Sequence, residues 1–182
     1  MNELSLHILD ITENSVSAEA TLIFIRITEN VVADDYKIEI TDNGKGIPPD
    51  MLDKVTDAFV TSRTTRKVGL GLPLFKQNAE QTGGSFNIKS VVGKGTTTTA
   101  VFKLENIDRP PLGDMAGVMA ILAGSNPEID FVYTHTVNEQ SYAFDTREIK
   151  LILEDVPLSN PEVRRYIKEM IDENLKEIRA SN

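Results

Sequence analysis

Two side chains four residues apart pose the first chemical question. In "LDITENSVSAEAT" (residues 9–21), Asp10 and Asn14 stand at i and i+4, so on a helix they share one face about 5–6 Å apart at Cβ. An asparagine amide oxygen suits a hard cation such as Mg²⁺, which commonly needs few protein ligands beside phosphates and waters. A carboxylate one turn away can orient or deprotonate an attacking water or hydroxyl. His7 one turn earlier and Ser17 one turn later extend the polar stripe. The plainer alternatives are a solvated Asp10, or one paired with Lys or Arg, and a structural His7.

Three further segments carry chemistry. "DNGKGI" (residues 42–47) places Asp42 at the end of an apolar strand pattern, followed by Gly44 and Gly46. Glycine permits a tight turn and close backbone approach to a ligand. A carboxylate held there can accept a hydrogen bond from an exocyclic amine such as that of adenine. "GLGL" (residues 69–72) opens a helical pattern, and free N–H groups at a helix start suit phosphate. Arg63, Arg66 and Lys67 precede it, bringing local positive charge.

These groups need elements to hold them. Helical spacing runs from about residue 2 to 19, with Leu4, Ile8 and Ile11 on one side and Leu6, Leu9 and Val16 on another. Alternation in "ATLIFIRITEN" and from about Tyr36 to Thr41 predicts two strands. Pro48 and Pro49 lead into a short helix near residues 50–59, and polar, basic residues 60–71 read as a loop. A helix through Leu72, Phe75 and Ala79 stops at Gly83 and Gly84, and strands near 85–91 and 97–104 follow. "ENIDRPPLGD" reads as a linker. Beyond it the pattern predicts a helix (115–123), two strands around Asn138, a helix near 147–154, and a last helix capped by Asn160 with Pro161 at its first position. The expected class is α/β, an α+β two-layer sandwich. The expected organisation is a domain over 1–106, a linker over 107–113 and a small α/β extension over 114–182.

Composition narrows the function classes. A net charge of −9 argues against nucleic-acid binding by phosphate neutralisation, and any anionic ligand needs a local site. The chain has no cysteine, so disulfides, thiolate metal sites and cysteine nucleophiles are excluded. No apolar run approaches the ~18 residues of a membrane span, and no signal peptide is apparent, so the expectation is a cytoplasmic protein without membrane association.

Taken in order, these segments resemble the GHKL ATP-binding superfamily of gyrases, heat-shock chaperones, histidine kinases and mismatch-repair ATPases. "ENSVSAEAT" resembles the N box, "DNGKGI" the first glycine box, "DAFVTSR" the phenylalanine box and "VGLGLPL" the second glycine box. "GGSFNIKSVVGKGTTTTAVF" resembles the closing strands of histidine kinase catalytic domains. The resemblance implies a Bergerat-type mixed sheet with helices on one face. It implies ATP as ligand, Asn14 as the Mg²⁺ residue and Asp42 as reader of the adenine amino group. Gly44, Gly46 and Ile47 would shape the base pocket, with Thr96 or Thr97 beside the adenine. Gly69, Leu70, Gly71 and Leu72 would bring the lid to the phosphates, Phe59 would pack beneath it, and Arg63 and Lys67 would approach the triphosphate.

The boxes mix branches of the superfamily. Asp10 stands where histidine kinases usually carry asparagine and the gyrase-like, mismatch-repair and anti-sigma-kinase branches usually carry a glutamate base. Ser17 stands where kinases often carry lysine. His7 and His135 lack the acidic residue that usually follows a kinase phosphohistidine, so any phosphate acceptor is expected in trans. The implied function is an ATPase or a protein kinase acting in trans, with Asp10 as the catalytic residue. The alternative is a nucleotide-gated, anti-sigma-like binding module with little turnover. The extension suits an interaction or dimerisation module, so a homodimer is among the expected assemblies.

Overall fold

The alternation in "LIFIRITEN" resolves into strand β1 (Leu22–Asn30), whose Ile23, Ile25 and Ile27 turn to one face and are fully buried. The computed structural model describes residues 3–57 and 70–182. Before β1 comes helix α1 (Leu4–Ser17), and after it β2 (Asp35–Asp42), a four-residue helix α2 (Pro49–Leu52) and α3 (Gly71–Gln81). Strands β3 (Ser85–Val91) and β4 (Gly95–Lys103), helix α4 (Met115–Ser125), strands β5 (Asp130–Val137) and β6 (Gln140–Asp145), and helices α5 (Thr146–Leu153) and α6 (Pro161–Glu177) follow. The predicted order of elements is the observed order. The helix expected over 50–59 is shorter, ending at Leu52 before a turn, with residues 58 and 59 outside the described residues.

The strands form one sheet in the order β3-β4-β2-β1-β5-β6. β1 is central, antiparallel to β2 and parallel to β5; every other pairing is antiparallel. Register aligns the apolar residues: Ile25 sits opposite Ile40 on one side and Tyr133 on the other, and Ile23 lies opposite Phe131. With Ile38, Ala100 and Phe102 these make a continuous buried face. Helices α1, α3, α4 and α6 close over it through Leu4, Ile8, Phe75, Met119, Ile167 and Ile171, all fully buried or nearly so. The opposite face is mixed and largely polar, with the Arg26 guanidinium 4.6 Å above the Phe24 ring and bonded to Glu39 at 3.2 Å. This is the two-layer α/β architecture expected.

Residues 107–113 do more than connect. The Pro111 and Leu112 carbonyls accept from the Leu4 and Ser5 N–H groups at 2.9 and 2.8 Å, supplying partners that the first turn of α1 cannot find within its own helix. Leu112 is buried, and the Arg109 guanidinium lies 4.7 Å over the Tyr36 ring. The segments before and after this connection therefore share one sheet and one core.

Ile38→Ala on β2 and Ile171→Ala on α6 each remove a fully buried branched side chain, at a cost of about 2–5 kcal/mol. Both are expected to lower the midpoint of one common transition in denaturant unfolding followed by circular dichroism. A separate second transition affected by Ile171→Ala alone would show that the C-terminal residues fold independently.

Candidate functional site

Asp42 is the last residue of β2, opposite Ile23 of β1 and Thr96 of β4, and is almost fully buried. A buried carboxylate is costly unless hydrogen-bonded. Here Oδ1 accepts from the Gly44 N–H at 2.9 Å and the Thr96 N–H at 3.3 Å, while Oδ2 accepts from Ser15 Oγ of α1 at 2.5 Å. Each carboxylate oxygen has two lone pairs, so the group remains able to accept a hydrogen bond from a ligand amine.

The glycine-rich turn after Asp42 is pinned on both sides. Lys45 N–H donates to the Ala18 carbonyl at 2.8 Å, and the Lys45 carbonyl accepts from Gly93 N–H at 2.8 Å. Asn43 Oδ1 accepts from the N–H groups of Thr21 and Leu22 at the start of β1. Gly46 adopts φ +75°, and a Cβ there would collide with the Val91 backbone, so both conformation and space require glycine. Ile47 N–H donates to Ser90 Oγ at 2.7 Å.

The outcome is a cavity of about 430 Å³ between α1, the turn, α2, α3 and the β3–β4 pair. Its walls are apolar, from Ile11, Ile47, Met51, Val55, Leu72 and Ile88, and Asn14, Asp42 and Thr96 supply polar groups. Such a lining suits a flat apolar ring with a polar edge. Among the described residues the Asn14 amide has no hydrogen-bond partner.

Asp10 lies outside the cavity lining, one turn of α1 before Asn14, and is half-exposed. It faces the start of α3: a Cβ on Gly71 would stand 3.1 Å from both Asp10 Cβ and Oδ2. Leu70, exposed, forms the N-cap of α3 without a side-chain cap, which leaves the Gly71 and Leu72 N–H groups open to an anion. Of the two threonines singled out, Thr96 faces the cavity. Thr97 turns to the other side of the sheet, 3.2 Å from Thr41 Oγ1, because successive strand residues alternate. Phe59, Arg63, Lys67 and Gly69 lie outside the described residues, as does Arg66.

With this geometry in place, residues 2–106 match the family of histidine kinase-, DNA gyrase B- and HSP90-like ATPases. The chain belongs to this family. Among its relatives are the sensor histidine kinase ZraS of Escherichia coli, 31% identical over 106 residues, and the sensor kinase CckA of Brucella abortus, 39% identical over 87. These alignments take in 58% and 47% of this chain but only 23% and 9% of those proteins, so the chain spans a small part of each relative's length. In fold it is similar to the Aquifex aeolicus MutL ATPase domain complexed with ADP, with a TM-score of 0.55 at 16% identity. That likeness covers 85% of this chain and 70% of the MutL chain, so the similarity of fold continues past residue 106. A DNA repair protein's N-terminal domain gives a TM-score of 0.57 over 79% of the chain.

Two side chains that no sequence motif marks also build the cavity and its turn. Ser15, next to Asn14 on α1, anchors Asp42, and a hydroxyl beside the polar seam of that helix is its only mark in the sequence. Ser90 joins three partners around the turn: the Ile47 N–H, the Gly95 carbonyl and Thr96 Oγ1. Only β3–β4 pairing brings it there.

His7 is fully buried, stacked on Phe75 with ring centroids 5.5 Å apart. Asn78 Nδ2 donates to Nε2 at 3.0 Å, which leaves the ring proton on Nδ1. Burial pushes the His7 pKa down to about 4. The unfolded chain therefore binds the extra proton first, and stability is lost as pH falls from about 6.5 toward 4, by about 3 kcal/mol at most. Urea unfolding at pH 7 and pH 4.5 should show this loss in the wild type and a smaller loss in His7→Gln.

Proposed function

We propose that this chain binds ATP with Mg²⁺ in the cavity beside Asp42 and turns it over. The γ-phosphate passes to water or to a hydroxyl of a protein acting in trans. The observation that carries this reading is the buried Asp42 carboxylate, anchored by Ser15, Gly44 and Thr96 on an apolar cavity that also holds Asn14. Family membership supports ATP as the ligand.

In this reading the adenine ring fills the apolar walls and its amino group donates to Asp42. Asn14, whose amide makes no protein hydrogen bond among the described residues, fits a single oxygen ligand for Mg²⁺. Bound there, Mg²⁺ would neutralise charge on the phosphates. The uncapped start of α3 offers N–H groups to the same phosphates. Asp10 has no hydrogen-bond partner among the described residues. As base it accepts the proton of the attacking oxygen while the new O–P bond forms and the bond from phosphorus to ADP breaks. The net charge of −9 supports a protein over a nucleic acid as the partner in trans.

The first experiment incubates the protein with Mg²⁺ and γ-labelled ATP, following free phosphate and labelled protein together. Turnover by the wild type with loss of roughly 100-fold or more in Asp10→Asn, at unchanged ADP affinity, is the expected result. ADP and ATP binding without turnover in the wild type would replace this reading with a nucleotide-gated switch. Gly71→Ala presses a methyl group against Asp10 and is expected to slow turnover roughly 10- to 100-fold, with little effect on ADP binding. Ser15→Ala removes the short bond to Asp42 and should weaken ADP binding, read by calorimetry, by roughly five- to tenfold, or about 1 kcal/mol.

A further inference from the structure

The two edges of the sheet are finished differently. At one edge β3 is shielded: α2 packs beside it, the turn at Lys45–Ile47 bonds to Ser90 and Gly93, and exposed Lys89 adds a charge. At the other edge β6 pairs with β5 in unbroken register, without a bulge. No further strand pairs with its outer side among the described residues. Among the described residues, no backbone N–H or C=O of residues 140–144 bonds to anything beyond β5. The run Gln140-Ser141-Tyr142-Ala143-Phe144 contains no charged residue and no proline, the devices that normally blunt an open edge. Helix α5, leaving the strand at Thr146, exposes Leu151 and Ile152, and α6 exposes Tyr166.

We propose that the β6 edge is a dimer interface, in which two copies of this chain pair β6 to β6 antiparallel across a two-fold axis at Ala143. An isologous interface must be self-complementary, and the charges select the register. Directly opposed residues share a face, so the axis passes through one residue opposite itself. With Ala143 at the axis, Tyr142 opposes Phe144 of the other copy, twice, and Glu139 is brought toward Arg147 of the other copy. Shifting the axis to Tyr142 would set Glu139 against Asp145, whose carboxylate is already paired with Arg147 of its own chain at 2.7 Å, so that register gains no new opposite-charge contact. Exposed Ser141 and Ala143 leave the pairing backbone accessible. The inference stands apart from the nucleotide site, since β6 contributes nothing to the cavity.

Sedimentation velocity across a wide range of protein concentration tests it. The mass should rise from 20.2 kDa to twice that in the wild type. Ala143→Lys and Ala143→Glu, each placing like charges at the axis, should stay monomeric alone, and an equimolar mixture of the two should recover the dimer. Ser141→Lys, brought opposite Asp145 of the other copy, should strengthen association, and far-UV circular dichroism checks that each variant folds. A wild type that remains monomeric throughout, a dimer that survives both single charges, or a mixture that stays monomeric would each overturn the proposal.

Discussion

Burial of α1 on two sides is the constraint on which the rest of the site depends. Leu4, Ile8 and Ile11 lock into the isoleucine face of β1 and β2, while α3 and α4 cover the flanks. A helix held this way cannot rotate by one residue, about 100°, without driving polar groups into that face. Its polar seam therefore has one orientation. His7 meets α3, Asp10 meets the start of α3, and Asn14 and Ser15 meet the end of β2. The Ser15–Asp42 bond joins helix to sheet at the floor of the cavity, and the carbonyls of Pro111 and Leu112 hold the far end of the same helix.

A second buried polar group ties the opposite end of the sheet. Glu29 Oε1 accepts from Ser181 N–H at 2.9 Å and lies 2.7 Å from His135 Nε2, and His135 Nδ1 lies 2.8 Å from the Tyr133 hydroxyl. Burial works to raise the Glu29 pKa, but hydrogen bonds from His135 and Ser181 hold it below the usual carboxylate value. This group joins β1, β5 and the chain after α6. Together with α1 and residues 107–113, it knits the family domain to the residues that follow it. The cavity sits at one end of β1 and this buried polar cluster at the other.

The legible parts of this protein were those governed by local rules. Alternation in β1, β2 and β5, the Asn160–Pro161 helix start and the Gly83–Gly84 stop are encoded within a few residues, and each element lies where its pattern placed it. The glycine boxes, Asp42, Asn14 and the family itself were legible for the same reason, since tight turns and strand ends leave compositional marks. Thr96 and Thr97 were indistinguishable until pairing showed which of them faces the cavity. Ser15 and Ser90 carry no mark of their own and matter only because strands and helix converge on them.

Residues 107–113 show where sequence reading stops. Two prolines and a glycine signal a break in regular structure, and the break is there. They cannot say whether the chain beyond it forms a separate body or returns to the same sheet. By itself the sequence determined the elements and the family, because these depend on short-range pattern. Only the tertiary structure decided that β5 lies parallel beside β1, that Asp42 is anchored by Ser15, and that β6 ends the sheet with an open edge. Those facts depend on contacts between residues far apart in the chain, which no local pattern specifies.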